Sequence, residues 1–226
     1  RIVSAEYHRL GLLPTVDSPT PAELAEVLEA DYVVGQSRFT VDSLLEYGVV
    51  PDKIILQPLG ADAESFYPEP RQDHSRPFRL LFVGQLDIRK GLHQLLEAWN
   101  LLQLPNAELV LAGQVTNQHG RELLHKYEGT YRLLGFVPHS ELPKVYQDSD
   151  VFVFPSLAEG SANATYEALA SGLPSVVTTS SGAVARDGVE GYVIAPGEVD
   201  ALKDRVQRLY HDRDLRERMG IAARRR

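Results

Sequence analysis

The sequence predicts an α/β fold: a doubly wound, Rossmann-like parallel sheet from about residue 76, preceded by part of another α/β unit. Two observations carry that expectation. From Phe78 onward, short apolar runs such as Leu80-Leu-Phe-Val83, Leu109-Val-Leu-Ala112 and Val151-Phe-Val-Phe154 alternate with amphipathic stretches. Strands alternating with helical stretches of roughly 10–15 residues indicate a parallel sheet covered on both faces. Upstream, the stretch from Gly60 to Pro77 holds Pro68, Pro70 and Pro77 among many charges and reads as a linker. The expected division is therefore residues 1–66, a linker at 67–77, and a domain over 78–226.

In order along the chain, residues 1–13 are amphipathic, and Pro14, Pro19 and Pro21 mark a loop. A helix over 21–30 follows, then a short strand at Asp31–Gly35. Ser37 is placed to cap a helix running to Tyr47 and closed by Gly48. Lys53–Gln57 is a further strand. In the second region the expected strands are 78–83, 107–112, 130–134, 151–154, 175–178 and 192–194. The expected helices are 91–103, 118–127, 140–147, 163–171, 199–210 and 213–223.

The chain has 226 residues, 43% hydrophobic and 24% charged, as in ordinary globular proteins. A net charge of −8 gives no basic footprint for nucleic acid, so none is expected as a partner. Cysteine is absent, which excludes disulfides and Cys-ligated zinc and fits a reducing compartment; a cytoplasmic location is expected. No apolar run approaches the ~20 residues of a membrane span. The sequence begins without an initiating Met and reads as a fragment.

Chemistry concentrates in Glu159-Gly-Ser-Ala-Asn-Ala-Thr-Tyr-Glu167, between the apolar run ending at Pro155 and the helix stop Ser171-Gly-Leu-Pro174. Glu159 should lie on the loop leaving the carboxyl end of a strand, where open parallel sheets bind ligands. Glu167 should lie on the next helix. Eight positions span roughly 12 Å along a helix, enough to reach two ends of a ligand and too far to grip one metal ion. The small residues Gly160, Ser161, Ala162 and Ala164 leave backbone N–H groups open to an anion at the helix start, and Asn163 is a candidate cap. A second cradle is Gly84-Gln-Leu-Asp-Ile-Arg89-Lys90-Gly91, where a glycine ends a strand and a cation precedes a helix, a combination suited to diphosphate. It is neither a Walker A loop nor a dinucleotide fingerprint. Asp148-Ser-Asp150 resembles a metal-binding Asp-x-Asp but precedes its strand, away from the crevice, so no metal site is assigned. The seven histidines show no H-E-x-x-H pattern and are expected at the surface. Ser161 and Ser181 lack a nucleophile elbow. Asp62 reads as structural.

Taken together, Lys90-Gly91, Glu159-x7-Glu167 and Ala168-Leu-Ala-Ser-Gly-Leu-Pro174 resemble, in order and spacing, the signature of family-4 retaining glycosyltransferases. That resemblance implies the two-domain GT-B fold, with residues from about 76 forming the donor-binding domain and residues 1–66 the end of the acceptor-side domain. It implies transfer of a hexose-type sugar from a UDP- or GDP-sugar to an unknown glycan or lipid acceptor, with retained anomeric configuration and no metal or cofactor. It assigns Lys90 to the leaving diphosphate, Glu159 to the sugar and Glu167 to the ribose hydroxyls. Gly84, Gly160, Ser161 and Ala162 would lie beside the donor through their backbone, and Phe136 and Val137 would face the base in the same way. The family has Arg at the position of Gln85, so one expected cation is missing unless Arg89 supplies it. The usual Phe-Gly after Glu-Gly is Ser161-Ala162 here. A peripheral membrane association is left open for the full-length enzyme. Two other readings remain: a nucleotide-sugar-binding fragment without turnover, and a sugar-nucleotide epimerase of the same architecture.

Overall fold

The computed structural model describes residues 2–13, 19–69 and 76–226. Its larger sheet has six parallel strands: β3 (Phe78–Val83), β4 (Ala107–Ala112), β5 (Arg132–Gly135), β6 (Val151–Phe154), β7 (Ser175–Thr178) and β8 (Gly191–Ile194). Their order is β5-β4-β3-β6-β7-β8. The chain starts at β3, moves outward through β4 and β5, then returns to add β6, β7 and β8 on the other side. The carboxyl ends of β3 and β6 therefore flank the switch point, where the loops leaving them part and open a crevice.

The apolar runs form central strands because both their faces are covered. Leu80, Leu81, Phe82, Val151, Phe152 and Val153 have no exposed surface. Phe82 and Phe152 stack on Phe154 with ring centroids 5.6 and 6.0 Å away. Helix α4 (Leu92–Leu102) packs with α5 (Gln118–Lys126) and α8 (Val199–His211). Helix α7 (Asn163–Ala170) packs with α6 (Leu142–Gln147) and α9 (Arg213–Arg225). Two helical layers thus enclose the sheet, the α/β architecture expected from the alternating pattern.

The first part of the chain forms a two-stranded parallel sheet, β1 (Val33–Gly35) with β2 (Ile54–Leu56), Val33 pairing with Ile54. Helix α3 (Arg38–Glu46) packs on both strands. Helix α2 (Pro21–Glu29) starts with a reciprocal capping box between Thr20 and Glu23, each satisfying a backbone N–H of the other. Helix α1 (Ile2–Arg9) buries Val3 and Tyr7 against Ile88 and Leu157. The expected linker falls partly outside the described residues, at 70–75. Before it, Phe66 is 1% exposed and its carbonyl accepts from Arg224 at 2.8 Å, so this stretch is packed onto the larger sheet's helices.

One expectation needs correction. His93 does not lie at the surface; it is 5% exposed on α4, and its Nε2 is 2.7 Å from Glu6 Oε1. Its place on the buried face of an amphipathic helix is the reason, and an acid on another helix satisfies it. His8, His125, His139 and His211 are exposed, His119 is half-buried, and His74 lies outside the described residues.

Candidate functional site

The crevice is built by two loops forced together. Gly91 ends the loop leaving β3 with φ 75°, and a Cβ there would sit 2.1 Å from the carbonyl oxygen of Pro155. Only glycine allows that approach. The loops are then stitched: Leu157 N–H and Ser156 Oγ donate to the Arg89 carbonyl at 2.9 and 3.1 Å. Lys90 N–H donates to Asp87 Oδ1 at 2.9 Å, fixing the turn that precedes α4.

This stitching brings together the charged residues that the sequence placed on separate loops. Lys90 Nζ lies 2.5 Å from Glu159 Oε1, and Arg89 Nη1 lies 3.0 Å from the same oxygen. Ser156 Oγ also lies 3.1 Å from it, so its one proton is shared between this oxygen and the Arg89 carbonyl. Glu159 N–H donates to the Ser180 carbonyl at 2.8 Å, which anchors the backbone beneath. The side chains of Lys90 and Glu159 are 13% and 9% exposed, whereas Arg89 is 32% exposed. Lys90 Nζ also sits 5.5 Å from the Phe154 ring centroid, within cation–π range. A nearly desolvated ammonium interacts with a nearby charge far more strongly than one in bulk water. Gln85, by contrast, is exposed, and the second cation beside Glu159 is Arg89.

Next to this cluster, α7 presents its amino end. Asn163 does not cap it: the cap position is Ala162, with β-region backbone and no side-chain bond, and Asn163 is already helical. The N–H groups of Ser161, Ala162, Asn163 and Ala164 find no acceptor among the described residues. The helix dipole and these donors make the place attractive to an anion. The carbonyl of Gly160 faces away from them and accepts from Ser37 Oγ and Thr40 Oγ1 at 2.6 and 2.9 Å. On another side Gly182, with φ 69°, packs so closely that a Cβ would be 2.7 Å from Ser161 Cα. Ser161 Oγ donates to Tyr166 Oη at 3.1 Å.

Glu167 lies apart from Glu159 in its contacts. It is 6% exposed, accepts from Tyr146 Oη at 2.8 Å on Oε2, and meets His139 Nε2 at 3.1 Å on Oε1. Burial, and then the Glu167 charge, hold the Tyr146 hydroxyl well above the usual tyrosine range, so it stays a donor. Phe66 packs edge-on against both His139 and Tyr146. Gly135 ends β5, Phe136 is 68% exposed, and Val137 is half-buried against the core. The two acids thus address different neighbourhoods, as their spacing suggested. Sequence reasoning missed Ser37, Thr40, Tyr146 and His139, because each acts through a partner distant in the chain.

Two negative features complete the picture. Among the described residues, no three His, Asp or Glu side chains gather as a metal ion would require. Asp150, just before β6, accepts from Arg76 Nη1 and Arg79 N–H, each at 2.8 Å, at the amino end of the sheet. A cavity of about 990 Å³ opens at that same end, lined by Asp150, Tyr210, Arg213 and Arg224 among others. Lys90, Glu159 and the start of α7 are not part of its lining, although Tyr146, the partner of Glu167, is. The strand order favours the carboxyl end for ligand chemistry despite the size of this cavity.

The sequence profile of the family described as "Glycosyl transferases group 1" matches residues 66–226. A sulfoquinovosyl transferase of Arabidopsis thaliana is 31% identical over 182 residues, which cover 73% of this chain and 34% of that protein. The chain spans between about a third and a half of the length of the curated relatives it matches. Among solved structures, a sucrose-phosphate synthase from Thermosynechococcus elongatus superposes with a TM-score of 0.78 at 24% identity, covering 100% of this chain and 60% of that one. An Anabaena protein crystallised with UDP and glucose gives 0.79 at 20% identity, covering 100% and 64%. These likenesses establish the fold as that of the GT-B glycosyltransferases. No helix among the described residues is long and apolar enough to cross a membrane.

Proposed function

The chain belongs to the glycosyl transferases group 1 family, and from that premise we propose that it carries the donor side of a retaining glycosyltransferase. The reaction moves a hexose-type sugar from a UDP- or GDP-sugar to a glycan or lipid acceptor, without a metal ion. In this reading residues 1–66 belong to the acceptor side, 67–77 link, and 78–226 hold the donor. The chain alone binds donor without turning it over, and the absence of cysteine fits a cytoplasmic site of action.

One observation carries the reading: Lys90, Arg89 and the uncapped start of α7 converge on one crevice at the switch point of the sheet. As the bond from sugar to diphosphate breaks, negative charge grows on the leaving phosphate. A buried ammonium and oriented backbone N–H groups stabilise that charge more than they stabilise the ground state, which lowers the barrier. Arg89 supplies the second cation that Gln85 does not. The diphosphate competes with Glu159 for Lys90, and the carboxylate so released turns to the sugar hydroxyls. Glu167, held from behind by Tyr146, takes the ribose hydroxyls in place of the exposed His139 ring. The backbone of Phe136 and Val137 faces the base. That a protein of the same fold occurs with UDP and glucose supports this ligand chemistry.

The His139–Glu167 pair is the one observation that favours an epimerase, which needs an acid/base couple. Against it, Glu167 is committed to Tyr146, and the pair is not part of the Lys90–Glu159 cluster. Calorimetric titration with UDP and GDP tests the proposal. One nucleotide is expected to bind, and Glu167→Ala to weaken it at least tenfold, a loss of about 1.4 kcal/mol or more. Failure of both nucleotides to bind, or indifference to Glu167→Ala, overturns it.

A further inference from the structure

Ser37 and Thr40 stand at the start of α3, about 120 residues upstream of the loop they touch. Ser37 is the amino cap of α3: its Oγ accepts the Thr40 N–H at 3.1 Å. A hydroxyl carries one proton; the two oxygens lie 3.0 Å apart, so one could donate to the other, yet both also lie within donating distance of a single carbonyl. Ser37 Oγ donates to the Gly160 carbonyl at 2.6 Å and Thr40 Oγ1 at 2.9 Å. A carbonyl oxygen has two lone pairs, so Gly160 is saturated by these two donors. The peptide that follows is planar and trans, so its N–H, on Ser161, must point to the opposite side. Anchoring the Gly160 oxygen therefore also aims Ser161 N–H, the first of the donors at the start of α7.

Helix capping does not require any of this. The cap uses only a Ser37 lone pair and the Thr40 backbone N–H; neither hydroxyl proton, and no part of the Thr40 side chain, is needed for it. Ser37 is 7% exposed and packed onto the loop, while Gly182 holds the loop from another side. The Glu159–Ala162 segment is thus gripped between an element of the smaller sheet's unit and the loop after β7.

We propose that Ser37 and Thr40 are positioning residues for the donor site, a two-hydroxyl latch that sets the direction of the α7 amides and so the site's affinity for diphosphate. This rests on the donor-site reading above. It predicts that the crevice is completed by the first part of the chain and is not a property of residues 78–226 alone.

The test uses the whole chain and the double variant Ser37→Gly/Thr40→Val. Glycine is nearly as good a cap as serine, and valine keeps the branched shape of threonine, so the hydroxyls are removed with the helix retained. Thr40→Ser serves as the conservative control. Two readouts are taken: hydrogen exchange of peptides covering 157–166 in the free chain, and the calorimetric affinity for UDP and GDP. Expected are faster exchange confined to 157–166, affinity weakened about fivefold or more in the double variant, and both restored in Thr40→Ser with Ser37 intact. Unchanged exchange overturns the latch, and so does faster exchange with unchanged affinity. If the unmodified chain binds neither nucleotide, the donor-site reading has failed; the inference that the latch sets diphosphate affinity then falls with it, while the exchange readout still decides whether the two hydroxyls hold the loop.

Discussion

Lys90→Ala is expected to weaken binding of the preferred nucleoside diphosphate at least tenfold, about 1.4 kcal/mol or more, with Arg89→Ala costing less. The difference follows from exposure: the Lys90 side chain is 13% exposed and that of Arg89 32%, so the lysine charge is less screened. A second effect adds to the direct loss. Without Lys90 the Glu159 carboxylate keeps only Arg89 and Ser156 as partners on Oε1, leaving a poorly compensated buried negative charge beside the incoming phosphates. Calorimetry of the two variants beside the unmodified chain checks the ranking. Equal losses for both variants would place the two cations on the same footing, and no loss in Lys90→Ala would remove the diphosphate from this crevice.

Acidification should loosen α1 from α4 in two stages. Arg9 beside Glu6, with help from His93, lowers the Glu6 carboxyl from 4.5 to about 2 in the folded chain, against the opposing effect of burial. A carboxylate whose folded value is depressed stabilises the fold above its unfolded value, and that contribution is lost as pH falls from about 4.5 towards 2. For this nearly buried side chain the loss amounts to at most about 3 kcal/mol. His93 acts earlier. Burial lowers its value below 6.5, and its Nδ1 is buried without a partner, as fits a neutral ring that donates only through Nε2. The unfolded chain takes up that proton more readily, so the fold loses stability as pH drops through about 6.5. Hydrogen exchange of residues 2–9 at pH 7.5, 5.5 and 3.5 should show progressively faster opening, with Glu6→Gln flattening the lower step. A flat profile in the unmodified chain would contradict this account.

The sheet was legible because its signal is local. Val151-Phe-Val-Phe154 has no polar face, so it reads as a strand covered on both sides, and Leu80–Val83 reads the same way. Lys90 and Glu159 were legible as loop residues for a related reason: each follows such a run, so each had to lie at the carboxyl end of the sheet. What the sequence could not reveal is how the loops meet. The Arg89–Glu159 contact depends on the fit of Gly91 against Pro155, a contact between distant segments. Likewise nothing local to Ser37 distinguishes a serine that only caps a helix from one that also grips Gly160. Asn163 shows the opposite error. Asparagine is a strong capping residue, yet the helix already begins at Asn163, which leaves the cap position to the extended Ala162, whose methyl cannot accept a hydrogen bond. His93 was misplaced because a histidine in an amphipathic stretch reads as polar surface until its buried acid is known.

The central claim is that diphosphate binds at the crevice between β3 and β6, and amide chemical shifts followed during a UDP or GDP titration test it most directly. The account predicts saturable shifts at Lys90 and at Ser161–Ala164, with little change around the cavity at the amino end of the sheet. Shifts confined to residues lining that cavity, such as Asp150, Arg213 and Arg224, would contradict it.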